Sequence, residues 1–131
     1  MTGKKRNGKK ILIVEDEAGI SKFLSLRLRE AGFSVEIAED GEKGLNMIRQ
    51  IRPELVILDL MLPYLSGGEV CKAVREDDDE EIARIPIIML TSHATEVDRI
   101  VGKVIGATYY MTKPFNFSAV LENIRQTIGT P

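Results

Sequence analysis

Three acidic residues stand where apolar runs of this chain give out: Glu15 and Asp16 after Ile11-Leu12-Ile13-Val14, and Asp59 after Leu55-Val56-Ile57-Leu58. Short continuous apolar runs of this kind read as strands covered on both faces, which gathers their terminal carboxylates at one edge of a parallel sheet. Open α/β sheets bind their ligands at that edge. Clustered anions need a cation or a shared proton, because neighbouring like charges raise one another's pKa. Carboxylate oxygens with room for water suit Mg2+, which prefers octahedral oxygen coordination and completes its shell with phosphate. No Cys or His pair is placed for zinc. A carboxylate is also a nucleophile toward phosphorus, giving an acyl phosphate. In phosphoryl transfer the protein mostly positions groups and balances charge on the equatorial oxygens. Thr91 and Lys113, each just past a later apolar run, offer the hydroxyl and the ammonium for that work. Asp59 stands alone and is the candidate nucleophile; Glu15 and Asp16 form a pair better suited to holding metal.

Each of these residues has an ordinary alternative. Asp16 or Asp59 could cap a helix, Thr91 could satisfy backbone, and Lys113 could pair with a surface carboxylate. What favours a site is that five chemically complementary residues fall at the ends of four strands. Crossovers in parallel sheets are right-handed, so every strand opens its following loop at the same edge.

The elements that must do the positioning alternate between buried strands and amphipathic helices, the pattern of βα units. After the first strand, Ile20, Phe23, Leu24, Leu28 and Ala31 fall at helical spacing, with Gly32 as the stop. Val35 and Ile37 alternate with polar neighbours and read as a weaker strand at a sheet edge. Leu45, Ile48 and Ile51 line a second helix that ends before Pro53. The third strand delivers Asp59, residues 62–68 read as a loop, and Val70, Cys71 and Val74 form a short helical stripe. The acidic run 76–81 reads as an exposed connection. A fourth strand over 85–90, with Pro86 allowed near its start, delivers Thr91. Val97, Ile100, Val101, Val104 and Ile105 line a fourth helix closed by Gly106. A fifth strand over 108–111 delivers Lys113-Pro114, and Leu121, Ile124 and Ile128 mark a last helix with Asn116 as its cap.

At 131 residues, 44% of them hydrophobic, the chain fits one domain able to bury roughly two-thirds of its unfolded surface. We place the domain at residues 9–128, between a basic, disordered leader at 1–8 and a short tail at 129–131. A net charge of −2 gives no global field toward nucleic acid or membrane. The basic leader runs into only four apolar residues, too few for a signal peptide, and no run approaches the ~18 residues of a membrane span. A single cysteine, Cys71, leaves no intrachain disulfide and makes a reducing cytoplasm the default.

The motifs Ile11-Leu12-Ile13-Val14-Glu15-Asp16-Glu17, Leu58-Asp59-Leu60-Met61-Leu62-Pro63 with Gly67, Met89-Leu90-Thr91-Ser92, and Gly106-Ala107 leading to Tyr110-Met111-Thr112-Lys113-Pro114-Phe115 resemble the receiver domains of two-component response regulators, over residues 9 to about 128. The resemblance implies a flavodoxin-like doubly wound five-stranded parallel sheet, order 2-1-3-4-5, with five flanking helices. It implies that Asp59 accepts a phosphoryl group from a histidine kinase or phosphotransfer protein. Asp16 and Asp59 would bind Mg2+ directly, Glu15 through water, and the Met61 carbonyl would complete the protein ligands. Lys113 would contact the phosphoryl group, and the bond before Pro114 would be cis. Thr91 and Tyr110 would relay the change to the surface of the fourth helix, fifth strand and fifth helix, through which homodimerisation is also open. The protein would then catalyse only its own phosphorylation and dephosphorylation.

Two departures from the family pattern stand out. Thr108 and Tyr109 replace acidic or polar residues before the switch tyrosine, which puts an extra aromatic on the output face. Met61 and His93 stand where side chains of this family govern access of water to the acyl phosphate; an apolar Met61 cannot orient that water, which points to slow self-hydrolysis. Other functions fit less well. A hydrolase with an Asp nucleophile wants an acid two residues on, where Met61 stands. A flavin binder wants a phosphate-cradling loop of small residues where this chain has Glu15-Asp16-Glu17. A phosphorylation-independent binding module is the remaining alternative. The chain ends three residues after Ile128, which suits a stand-alone regulator and a piece of a longer one alike.

Overall fold

Each apolar run becomes a strand whose successive side chains point to opposite faces, and that alternation splits the interior into two cores. The computed structural model describes residues 8–92 and 106–131. Its strands are β1 (Lys10–Val14), β2 (Ser34–Ala38), β3 (Leu55–Asp59), β4 (Ile87–Thr91) and β5 (Tyr109–Thr112). They pair in parallel in the order β2-β1-β3-β4-β5. Leu12, Val14, Val56, Leu58, Ile87 and Met89 face one core, shared with α2 (Gly41–Ile51), α3 (Gly67–Arg75) and the single turn α4 (Glu80–Ala83). Ile11, Ile13, Leu55, Ile57, Ile88 and Leu90 face the other, shared with α1 (Ala18–Glu30) and α5 (Phe117–Ile128). Because helices cover both faces, β1, β3 and β4 carry no polar alternation, as expected of parallel strands buried on both sides.

The strand ends line up, and this positions the site. Val14 stands opposite Leu58, Asp59 opposite Leu90, and Thr91 opposite Thr112, so the residues that follow emerge together at the C-terminal edge. The weaker second strand is an edge strand, with Val35 buried and Ile37 37% exposed.

Several boundaries differ from the sequence expectation, each for a local reason. The loop expected through Gly68 stops at Ser66, where a capping box starts α3: the Ser66 hydroxyl accepts from the Glu69 N–H (3.1 Å) and the Glu69 carboxylate from the Ser66 N–H (3.1 Å). The fourth strand begins at Ile87, after a proline that has no N–H for the ladder. The acidic connection folds into the turn α4, capped by Asp79, whose carboxylate accepts from the Glu81 N–H at 2.9 Å. Asn116 caps α5, accepting from the Ser118 N–H at 2.8 Å. Phe23, expected on the core face of α1, is 43% exposed; its ring packs at the surface against Phe115 and Phe117, with the Arg27 guanidinium 5.7 Å from its centroid. The basic leader, apart from Gly8, and the helix expected over 97–105 lie outside the described residues, as does His93.

Candidate functional site

At the C-terminal edge of the sheet the Lys113 ammonium meets three carboxylates. It lies 2.9 Å from Glu15 Oε1, 3.2 Å from Asp59 Oδ2 and 3.2 Å from Glu17 Oε1. Glu15 and Asp59 are buried and Glu17 is exposed. One oxygen from each of Glu15, Glu17 and Asp59 lies within 4.8 Å of the others, close enough to share a single cation. Hard oxygen donors without a Cys or His among them fit Mg2+ rather than a softer metal.

The local chain path explains who belongs to this group. Glu15 continues β1, and the extended backbone that carries the chain to α1 turns successive side chains to opposite sides. Glu15 and Glu17 therefore share the Lys113 side. Asp16, expected beside Asp59, is not in the group; its exposed side chain lines a neighbouring cleft with Glu39, Glu42, Lys43 and Tyr64. Glu17 is the residue the sequence expectation missed. Its signal was the same two-residue spacing, applied from Glu15.

Asp59 ends β3, where its Oδ1 accepts from the Met61 N–H at 3.2 Å and its Oδ2 faces Lys113. The loop beyond turns sharply: the Gly67 N–H reaches back to the Leu60 carbonyl at 2.8 Å. A Cβ on Gly67 would lie 2.0 Å from the Asp59 carbonyl oxygen, so only glycine lets α3 start so close to the acid. Met61 is 58% exposed beside the site. Thr91 is fully buried at the end of β4, and its carbonyl accepts from the Lys113 N–H at 2.7 Å, which ties β4 to the turn that presents the lysine. The Lys113–Pro114 bond in that turn is cis. Tyr110, one strand position opposite Met89, packs half-buried against the core of α2 and α3. Tyr109 faces the other core, and its hydroxyl lies 3.4 Å from Gln126 Oε1 on α5.

The electrostatics follow from burial. Desolvation pushes the Glu15 carboxyl up to about 7, against the opposing pull of hydrogen bonds from Lys113 and the Glu17 N–H. Burial disfavours the Lys113 ammonium too, but the hydrogen bond to Glu15 and the charge of Asp59 outweigh it and hold the group above the usual lysine range. The site is thus a fixed ammonium ringed by more negative charge than it can neutralise.

A family model described as the response regulator receiver domain matches residues 11–125. The chain is 44% identical over 119 residues to a probable transcriptional regulator, ycf27, of Guillardia theta, covering 91% of this chain and 45% of that protein. It is 42% identical over 116 residues to the DNA-binding dual master transcriptional regulator RpaA of Synechocystis, covering 88% and 47%. The chain therefore spans a little under half the length of these curated relatives. Among solved structures it is similar to the chemotaxis response regulator CheY4 of Vibrio cholerae, with a TM-score of 0.85, 33% identity, and coverage of 93% of this chain and 100% of that one. The receiver domain of the sensor histidine kinase PA1611 of Pseudomonas aeruginosa, solved with a magnesium ion in its active-site cleft, superposes with a TM-score of 0.85 at 28% identity, covering 94% and 99%. The sheet order, the acids beneath the Lys113 ammonium and these matches agree: the chain belongs to the response regulator receiver domains, the phosphoacceptor switches of two-component signalling.

Proposed function

We propose that Asp59 is the phosphoacceptor. A carboxylate oxygen of Asp59 attacks phosphorus of a phosphohistidine on a histidine kinase or phosphotransfer protein; the P–O bond forms as the P–N bond breaks, and the imidazole leaves with a proton. Lys113 holds its ammonium against the oxygens where negative charge collects. Glu15 and Asp59, with Asp16 or Glu17 and the Met61 carbonyl, would hold Mg2+, which when bound offsets charge on the transferred group. The single observation that carries this reading is the Lys113 ammonium, within 3.2 Å of Asp59 and 2.9 Å of Glu15, at the ligand-binding edge of the sheet. The protein then catalyses only its own phosphorylation and dephosphorylation, and the exposed apolar Met61, unable to orient water, makes the dephosphorylation slow.

The output follows from the same edge. Phosphorylation draws the Thr91 hydroxyl toward the new oxygens and lets Tyr110 turn inward, a local charge change that biases a two-state element. The surface so altered includes β5 and α5 and serves a downstream protein or a second copy of the chain. The work is that of a cytoplasmic domain with no nucleic-acid contact of its own. The test is exposure to phosphoramidate, a small P–N phosphodonor, with Mg2+. Intact mass should rise by one phosphoryl group in the wild type and not in Asp59→Asn; an unmodified wild type, or a variant modified equally, would overturn the assignment.

A further inference from the structure

Lys113 has three N–H donors, and in the structure each has a carboxylate: Glu15, Glu17 and Asp59. To contact a phosphoryl oxygen on Asp59 the ammonium must give one of them up. We propose that Glu17 is a positioning residue, a displaceable counterion that holds the Lys113 ammonium back in the resting protein and releases it when Asp59 is modified. The inference rests on Asp59 being the phosphoacceptor.

Burial decides which bond is released. Glu15 is 3% exposed, and taking away its cation would strand a buried charge. Asp59 carries the new group and keeps the lysine beside it. The Glu17 side chain is 63% exposed, so its carboxylate returns to water at little cost. A second observation points the same way. Glu17 is the N-cap residue of α1, yet its side chain makes no capping hydrogen bond and reaches Lys113 instead. The first turn of α1 contains no acid either, so the positive end of the helix lacks the negative partner that position usually supplies. Once released, the Glu17 carboxylate stands beside the positive end of α1, which lowers the cost of letting Lys113 go.

The test compares wild type, Glu17→Gln and Glu17→Asp as the full chain, using beryllium fluoride with Mg2+ as the phosphoryl mimic. Calorimetry measures affinity, and phosphoramidate measures the rate of phosphorylation. Exposed pairs of this kind have small effects, so Glu17→Gln should bind beryllium fluoride about 2- to 5-fold more tightly and phosphorylate faster by a similar factor. Glu17→Asp should fall between the two. The gap between wild type and Glu17→Gln should close at about 1 M salt, where exposed charges are screened. A purely structural role would not produce that salt dependence. Equal or weaker beryllium fluoride binding by Glu17→Gln overturns the proposal. If the wild type itself takes up no phosphoryl group on Asp59, the receiver mechanism fails; if it does and the variants match it, only the counterion role fails.

Discussion

Replacing Glu15 by Gln should make the metal-free protein less sensitive to rising pH. Glu15 is 3% exposed, and its carboxyl is held at about 7 instead of 4.5, chiefly by loss of water. Across that interval the folded protein keeps a proton that the unfolded chain has released, so stability falls as pH rises from about 4.5 to 7 and stays lower above it. At ~1.36 kcal/mol per pH unit the interval corresponds to roughly 3 kcal/mol as an upper bound. Lys113 has the same sign but acts outside this window: its pKa is also raised, so its contribution is fully present below the ordinary lysine pKa of about 10 and is lost only at higher pH. Gln at position 15 has no proton to lose. Urea unfolding followed by circular dichroism in EDTA at pH 5, 6, 7 and 8 would show it, because groups common to both proteins cancel in the comparison. Between pH 5 and 8 the wild type should lose about 1–3 kcal/mol more than the variant. Parallel stability curves would refute the reasoning, since they would mean that Glu15 carries no folding-linked proton.

Three further outcomes follow from named contacts. Lys113→Met takes the cation from between two buried carboxylates and should cost about 3 kcal/mol at pH 8, with a smaller loss at pH 5 where Glu15 is protonated, measured by the same urea titrations. Gly67→Ala forces a methyl against the Asp59 carbonyl and should destabilise by about 1–3 kcal/mol, whereas Gly19→Ala, with nothing within 4 Å of the new Cβ, should be neutral or stabilise by up to about 1 kcal/mol; thermal unfolding of the pair separates these. Cys71 is fully buried and its thiol is pushed up by desolvation, so a thiol reagent at pH 8 should label it only after urea unfolds the domain.

Much of the architecture was legible because apolar runs and helical stripes are dictated by burial. The runs ending at Val14 and Leu58 are strands buried on both faces, and Leu24, Leu28 and Ile124 do face a core, with Leu121 and Ile128 partly buried against it. Phe23 misled because periodicity reports spacing and not whether a neighbouring layer reaches that far round the helix; here its ring meets the surface aromatics Phe115 and Phe117 and the Arg27 guanidinium. The start of α3 was readable from Ser66 and Glu69 as a capping pair, but two consecutive glycines spoke louder for a loop. At the site, the strand ends placed Glu15, Asp59, Thr91 and Lys113 at one edge without further information. That Glu17 and not Asp16 stands beside Glu15 follows from side-chain alternation past the end of a strand, which residue type alone does not reveal.

The central claim is that one edge of the sheet gathers Glu15, Asp59 and Lys113 into a single cation and phosphoryl site. Amide NMR spectra recorded while titrating Mg2+ and then beryllium fluoride into the 15N-labelled protein test it most directly. The account predicts shifts that begin at Glu15, Glu17, Asp59 and Met61 with the metal and extend to Thr91, Tyr110 and Lys113 with the phosphoryl mimic. Shifts confined to the acidic segment from Asp77 to Glu81, or spectra that neither addition changes, would contradict it.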